Sequence, residues 1–94
     1  NSNILPESLI LHASHPNPFN PSTKISFDLP KTGQVSLNVY NLIGALVETL
    51  INEYIVAGTY QYHWKPTDEL SSGVYIFELK TKNKTRYQKI TFIK

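Results

Sequence analysis

Thr23-Lys24-Ile25-Ser26-Phe27-Asp28-Leu29, then Pro30-Lys31-Thr32-Gly33, then Gln34-Val35-Ser36-Leu37-Asn38-Val39-Tyr40: the reading of this stretch decides the fold class. In its first part Ile25, Phe27 and Leu29 alternate with Lys24, Ser26 and Asp28. In its last part Val35, Leu37 and Val39 alternate with Ser36 and Asn38. Successive side chains on a strand point to opposite faces, so a period of two marks a strand with one face buried. Between the two, Pro30 presets φ and Gly33 tolerates φ > 0, so the pair is expected to form a hairpin.

The same period recurs on both sides. Asn41–Gly44 reads as a turn, Ala45–Ile51 as an apolar strand of mixed phase, and Asn52–Gly58 as a loop. Tyr60, Tyr62 and Trp64 alternate with Thr59, Gln61 and His63, which makes the aromatic face the one to bury. After a loop over Lys65–Ser72, Gly73 opens a strand over Val74–Lys80. Thr81–Lys84 turns the chain into a last strand, Thr85–Ile93, with Ile90 and Phe92 in the core. Leu9–Ala13 is a weaker strand, and Asn1–Ser8, without periodicity, reads as a linker remnant. No segment has a helical period. About seven short strands separated by turns are the mark of an antiparallel, Ig-like β-sandwich, an all-β fold. The domain proper is placed at residues 14–94, with 1–13 as linker remnant and first strand.

His15-Pro16-Asn17-Pro18-Phe19-Asn20-Pro21-Ser22 stands out, with three prolines in six residues. Proline excludes helix, removes ladder donors and holds the residue before it extended. A stiff lead into the Thr23 strand is expected, with Phe19 inserted as its anchor.

The chain has 94 residues, enough for one domain, since domains commonly run about 100–150 residues. It has no Cys, which excludes disulfides, and no Met, so it is expected to be cut from a larger protein. No apolar run approaches the roughly 18 residues of a membrane-spanning helix. Charge is unevenly placed: residues 1–79 carry three Lys against seven acids, and residues 80–94 carry five Lys and Arg86 with no acid. Such an end fits either a polyanion partner or an edge hairpin protected from aggregation by charge.

Chemistry-bearing patterns are sparse. There is no Gly-flanked Ser and no nucleophile motif, so no catalytic residue is assigned and the protein is read as not an enzyme. His12 and His15 form H-x-x-H, but no third ligand is in view, and no metal or other cofactor is assigned. Asp68-Glu69 lacks the alternating oxygen ligands of a calcium loop. Only Tyr87 lies among the basic residues, so nucleic acid is not a partner. Asn83-Lys84-Thr85 fits a glycosylation acceptor, a pattern frequent by chance in turns. Leu29-Pro30-Lys31-Thr32-Gly33 spells a cell-wall sortase signal, but 61 residues follow Gly33 where that signal needs a nearby chain end. The turn reading accounts for Pro30 and Gly33.

Pro16-Asn17-Pro18-Phe19-Asn20-Pro21-Ser22-Thr23, Ile25–Pro30, Val39–Gly44, Ala57-Gly58, Trp64, Leu70–Tyr75 and Lys89–Lys94 together carry a resemblance. In this order they resemble the type A C-terminal sorting domain of the type IX secretion system, found in bacteria related to Bacteroidetes. The likeness runs from about Leu5 to Lys94, and His15 departs from it where the family often has Tyr. The resemblance implies a β-sandwich that directs an N-terminal cargo domain on the same precursor from the periplasm through an outer-membrane translocon. It further implies a sortase-type surface protease that removes the domain, cargo attachment to anionic lipopolysaccharide, and a final place at the cell surface or in the medium. Mapped onto this chain, the recognition elements are Gly73, Val74, Tyr75, Lys89, Ile90, Thr91, Phe92, Ile93 and Lys94. The entry motif is Pro16, Asn17, Pro18, Phe19, Asn20 and Pro21. The last strand is pictured as an open edge that a partner extends. The competing reading is an Ig-like spacer, or an adhesion or carbohydrate-binding module, of a secreted enzyme, in which the Tyr60–Trp64 stripe stacks on sugars.

Overall fold

A computed structural model describes residues 5–94. It contains seven strands: β1 Ile10–Leu11, β2 Thr23–Leu29, β3 Gly33–Asn41, β4 Leu46–Ile55, β5 Gly58–Trp64, β6 Gly73–Lys80 and β7 Thr85–Phe92. They form two antiparallel sheets, ordered β1-β2-β5 and β4-β3-β6-β7, facing each other as a sandwich. Asn1–Ile4, half of the expected linker remnant, lie outside the described residues.

The alternation seen in the sequence is the alternation that is buried. Ile25, Phe27 and Leu29 of β2 and Val35, Leu37 and Val39 of β3 are all sealed from solvent. They do not form a hairpin, however. β2 pairs with β1 and β5, and β3 with β4 and β6, so the chain crosses from one sheet to the other through Pro30–Thr32. A hairpin would leave the two apolar faces side by side in one sheet, with nothing opposite. The crossing sets them face to face, which buries both. The second crossing, Val56-Ala57 between β4 and β5, lies against the first: the Ala57 N–H donates to Thr32 Oγ1 at 2.9 Å. Gly33 is already ladder residue of β3, and the positive φ angles belong to Gly44 (+85°) and Gly58 (+155°).

β4 runs on to Ile55, where the sequence suggested a loop over Asn52–Gly58. Its mixed phase has a cause in the ladder. The register with β3 slips at Leu37/Asn38 and at Val39/Tyr40, so Leu50 and Val47 are extra residues on β4. Each bulge shifts which face the following side chains take. β4 is an edge strand, with half-buried and exposed residues only, so its polar content is permitted. The first strand is also shorter than expected, two residues in place of Leu9–Ala13, yet Leu9 beside it is a core residue, 2% exposed.

Trp64 closes the core at one end. Its ring lies 5.4 Å from Phe77 in edge-to-face geometry, and its indole N–H donates to Glu48 Oε1 at 3.1 Å, tying β5 to β4 across the sandwich. Tyr60 and Tyr62, expected to be buried with it, are only half-buried because β5 is the edge of its sheet. Trp64→Ala is expected to cost about 3–5 kcal/mol through the cavity it leaves. Thermal unfolding followed by circular dichroism checks this; an unchanged melting temperature would show that the indole is not a core group.

Candidate functional site

The segment Ser14–Ser22 is a strap laid along the outer side of β7. Phe19 donates its N–H to Thr91 O at 2.9 Å and accepts from Ile93 N at 3.0 Å, a short parallel bridge on the strand's free side. Asn17 does the same through its side chain: Oδ1 accepts from Thr91 N at 3.1 Å and Nδ2 donates to Lys89 O at 3.4 Å. The three X-Pro bonds of the strap, before Pro16, Pro18 and Pro21, are cis. Phe19 is 1% exposed, its ring 4.9 Å from Phe92 and 5.6 Å from Trp64. Thr23 Oγ1 donates to Pro16 O at 2.8 Å and joins the strap to β2.

Farther along β7, side chains bridge the gap to the other sheet. Gln88 accepts from Ser14 N at 3.0 Å and donates to His12 O, and Arg86 Nε donates to Leu9 O at 3.0 Å. Two expectations are corrected here. The Lys89–Phe92 part of the last strand is not an open edge, because the strap engages Lys89 O and both backbone groups of Thr91. Arg86 is not a free surface cation, since its Nε serves the Leu9 carbonyl.

The candidate recognition residues fall into two sets. Tyr75, Ile90 and Phe92 are core residues, 6%, 0% and 5% exposed. Gly73, Val74, Lys89, Thr91, Ile93 and Lys94 reach the surface, and Gly73 pairs with Phe92 in the β6–β7 ladder. Of the entry motif, Pro16, Asn17, Pro18, Asn20 and Pro21 are exposed and Phe19 alone is inserted. The pieces meet at one end of the sandwich. Asn41 pairs with Tyr75, which brings the Asn41–Gly44 turn beside the start of β6. Lys94 N donates to Ser72 Oγ at 2.7 Å, and its ammonium reaches Asp68 O. This end is called the motif pole below.

The turn at this pole holds two residues that deserved a place among the candidates, Leu42 and Ile43, 67% and 88% exposed. Asn41 Oδ1 accepts from Ile43 N at 3.1 Å and from Ala45 N at 2.9 Å, and Gly44 takes the positive φ. The turn's backbone is thus fixed without burying either side chain. The signal was present in the sequence: a turn bounded by Asn and Gly has no structural need for two large apolar residues.

The chemistry of the pole is that of contact. His12, the first half of the H-x-x-H pair, lies 3.1 Å from Asp28 Oδ2, and His15 pairs by its backbone with Lys24. Among the described residues no three His, Asp or Glu converge. With Trp64 2% exposed, the aromatic stripe lacks the open indole face that stacking on a sugar would need. Tyr75 donates its hydroxyl to Ser71 O at 2.6 Å, and burial raises its pKa above the ordinary 10.0. A raised tyrosine pKa favours the neutral form in the folded state. Its contribution to stability is present below about pH 10 and is lost as pH rises through the folded value. Tyr75→Phe should therefore flatten the alkaline limb of the stability–pH curve.

The strap makes a sharper prediction. Asn17→Ala should accelerate hydrogen exchange at the Thr91 amide while leaving the Ile93 amide, held by Phe19, protected. Phe19→Ala should expose both and lower stability by about 3–5 kcal/mol. Exchange measured residue by residue by NMR distinguishes the two; uniform protection in both variants would mean that the strap does not hold the edge.

A family model described as a secretion system C-terminal sorting domain matches residues 14–94. No curated protein and no solved structure matches the chain. The match begins at Ser14, where the strap begins, and takes in every strand except β1. The chain belongs to the C-terminal sorting domains of the type IX secretion system.

Proposed function

We propose that the motif pole is the surface read by the outer-membrane translocon, and that the sandwich behind it serves to hold that surface in shape. Membership in the family makes the domain a sorting signal for a protein exported to the cell surface or the medium. The observation that supports the pole is convergence. Asn41–Gly44, Leu70–Tyr75, the strap and Phe92–Lys94 are far apart in sequence, yet they are joined there by ladder pairs and hydrogen bonds. Folding alone explains Phe19, Tyr75, Ile90 and Phe92, which are buried. It does not explain Leu42, Ile43 and Ile93, apolar and at least half exposed. Large apolar side chains held out on a rigid turn are contact groups for a partner.

In this reading recognition uses side chains at the pole. Strand addition along Lys89–Phe92 would require the strap to leave. The domain directs its cargo to the translocon, and a sortase-type surface protease then removes it, leaving the cargo free or attached to anionic lipopolysaccharide. Residues 1–13 carry the connection to the cargo and residues 14–94 the signal. The domain performs no catalysis itself.

Export of a reporter fused ahead of the domain in a type IX host tests the proposal. Deleting Lys89–Lys94 is a poor probe, because it also removes Ile90 and Phe92 from the core. Better variants change the surface only. The Leu42→Ser, Ile43→Ser pair removes exposed groups. Gly73→Gln adds a side chain where a Cβ would meet only the Tyr75 ring, 4.0 Å away. Both should keep the wild-type melting temperature and cut export by roughly tenfold or more, as loss of a contact hot spot does. Wild-type export by both folded variants would move the signal away from this pole.

A further inference from the structure

The other end of the sandwich has a different character. Where β2 crosses to β3 and β6 turns into β7 there is a cleft of about 890 Å³. Leu9 and Leu29 form its floor, and Tyr54, 71% exposed, stands on its flank. Four lysines line it: Lys31 from the crossing, Lys80 from the end of β6, and Lys82 and Lys84 from the hairpin turn. Glu7 is the one acid among the lining residues described. All four lysines are exposed, and among the described residues none of them is in an ion pair.

We propose that this cleft binds the phosphate headgroup of an anionic lipid, so that the domain meets a membrane surface end-on through its lysine pole. Three observations carry it. The charge is of one sign, delivered as lysine point charges, which suit a hydrated headgroup phosphate. The cations surround an apolar floor and an exposed tyrosine, the pairing of an interfacial site, where the ring sits at headgroup level. The turn backbone there is already engaged. Thr81 N donates to Lys84 O, Lys84 N to Thr81 Oγ1, and Ala57 N to Thr32 Oγ1. An acidic peptide would find these turn N–H groups engaged, whereas a headgroup needs only the side chains. The inference does not rest on the export reading, which concerns the opposite pole and other residues.

Co-sedimentation of the 94-residue chain with vesicles tests it, using phosphatidylcholine alone and phosphatidylcholine mixed with phosphatidylglycerol. The chain should bind only the anionic vesicles, and less as salt rises, because screening shortens to about 8 Å at physiological ionic strength. Lys31→Gln with Lys82→Gln should weaken binding by roughly tenfold. Lys24→Gln with Lys65→Gln removes the same charge from exposed positions outside the cleft and should weaken it by less than about twofold. All four positions are exposed, so the variants keep the fold, which circular dichroism verifies. Equal losses in the two pairs would overturn the proposal in favour of diffuse charge. Displacement by millimolar inorganic phosphate beyond that caused by chloride at matched ionic strength would overturn it in favour of a free-phosphate site, as would binding to a glutamate-rich peptide without vesicle binding, or no binding to anionic vesicles at low salt.

Discussion

Phe19 is the side chain on which the rest depends. Its ring sits between Phe92 of the last strand and Trp64 of the other sheet, and its backbone bonds the outer side of β7. One residue therefore fills the core, joins the sheets and closes an edge. A two-sheet sandwich keeps four free edges, each a template for unwanted pairing. On the β7 side the proline strap supplies the cover, and its prolines have no N–H of their own to leave unpaired. On the opposite side β4 is broken by two bulges, which twist an edge away from flat pairing.

The covered β7 edge and the bulged β4 edge run along the sides of a body 43 Å long. The ends differ in chemistry. One presents apolar side chains on a fixed turn beside the chain's last residues, and the other presents ammonium groups around an apolar cleft. The sequence charge asymmetry takes a spatial form here. Lys80, Lys82 and Lys84 belong to one hairpin end, while Arg86 and the strap-covered half of β7 belong to the body.

The strands of both sheets were legible because their inward residues alternate strictly; Ile25–Leu29, Val35–Val39 and Tyr75–Leu79 bury every second residue. The pairing of the strands was less so. Pro30-Lys31-Thr32-Gly33 suits a hairpin by local turn chemistry, and only the need to cover two fully apolar faces makes it a crossing. β4 was cut short because Asn52 and Glu53 look like loop residues, whereas an edge strand can carry them in a regular ladder; its bulges lie earlier, at Val47 and Leu50. The strap's anchor could be read from Phe19 among prolines. What Asn17 does could not, since its partners Lys89 and Thr91 lie more than seventy residues away. Family likeness pointed to Tyr75, Ile90 and Phe92 as recognition residues; these three are buried in the core, while Lys89, Ile93 and Lys94 of that set are exposed and Gly73, Val74 and Thr91 are partly so.

The strap and β7 come from opposite ends of the sequence, and their contacts join residues 72 to 74 positions apart. Loops this long close late, since their entropy must be met before the contacts form. A chain emerging from its N-terminal side can build β2 through β6 and still lack the strand that Phe19 lies against. Until β7 arrives, Phe19 lacks Phe92, β6 lacks its edge partner, and the motif pole is incomplete. The pole thus needs a chain made through β7, and under the proposed reading prematurely terminated cargo would carry no signal.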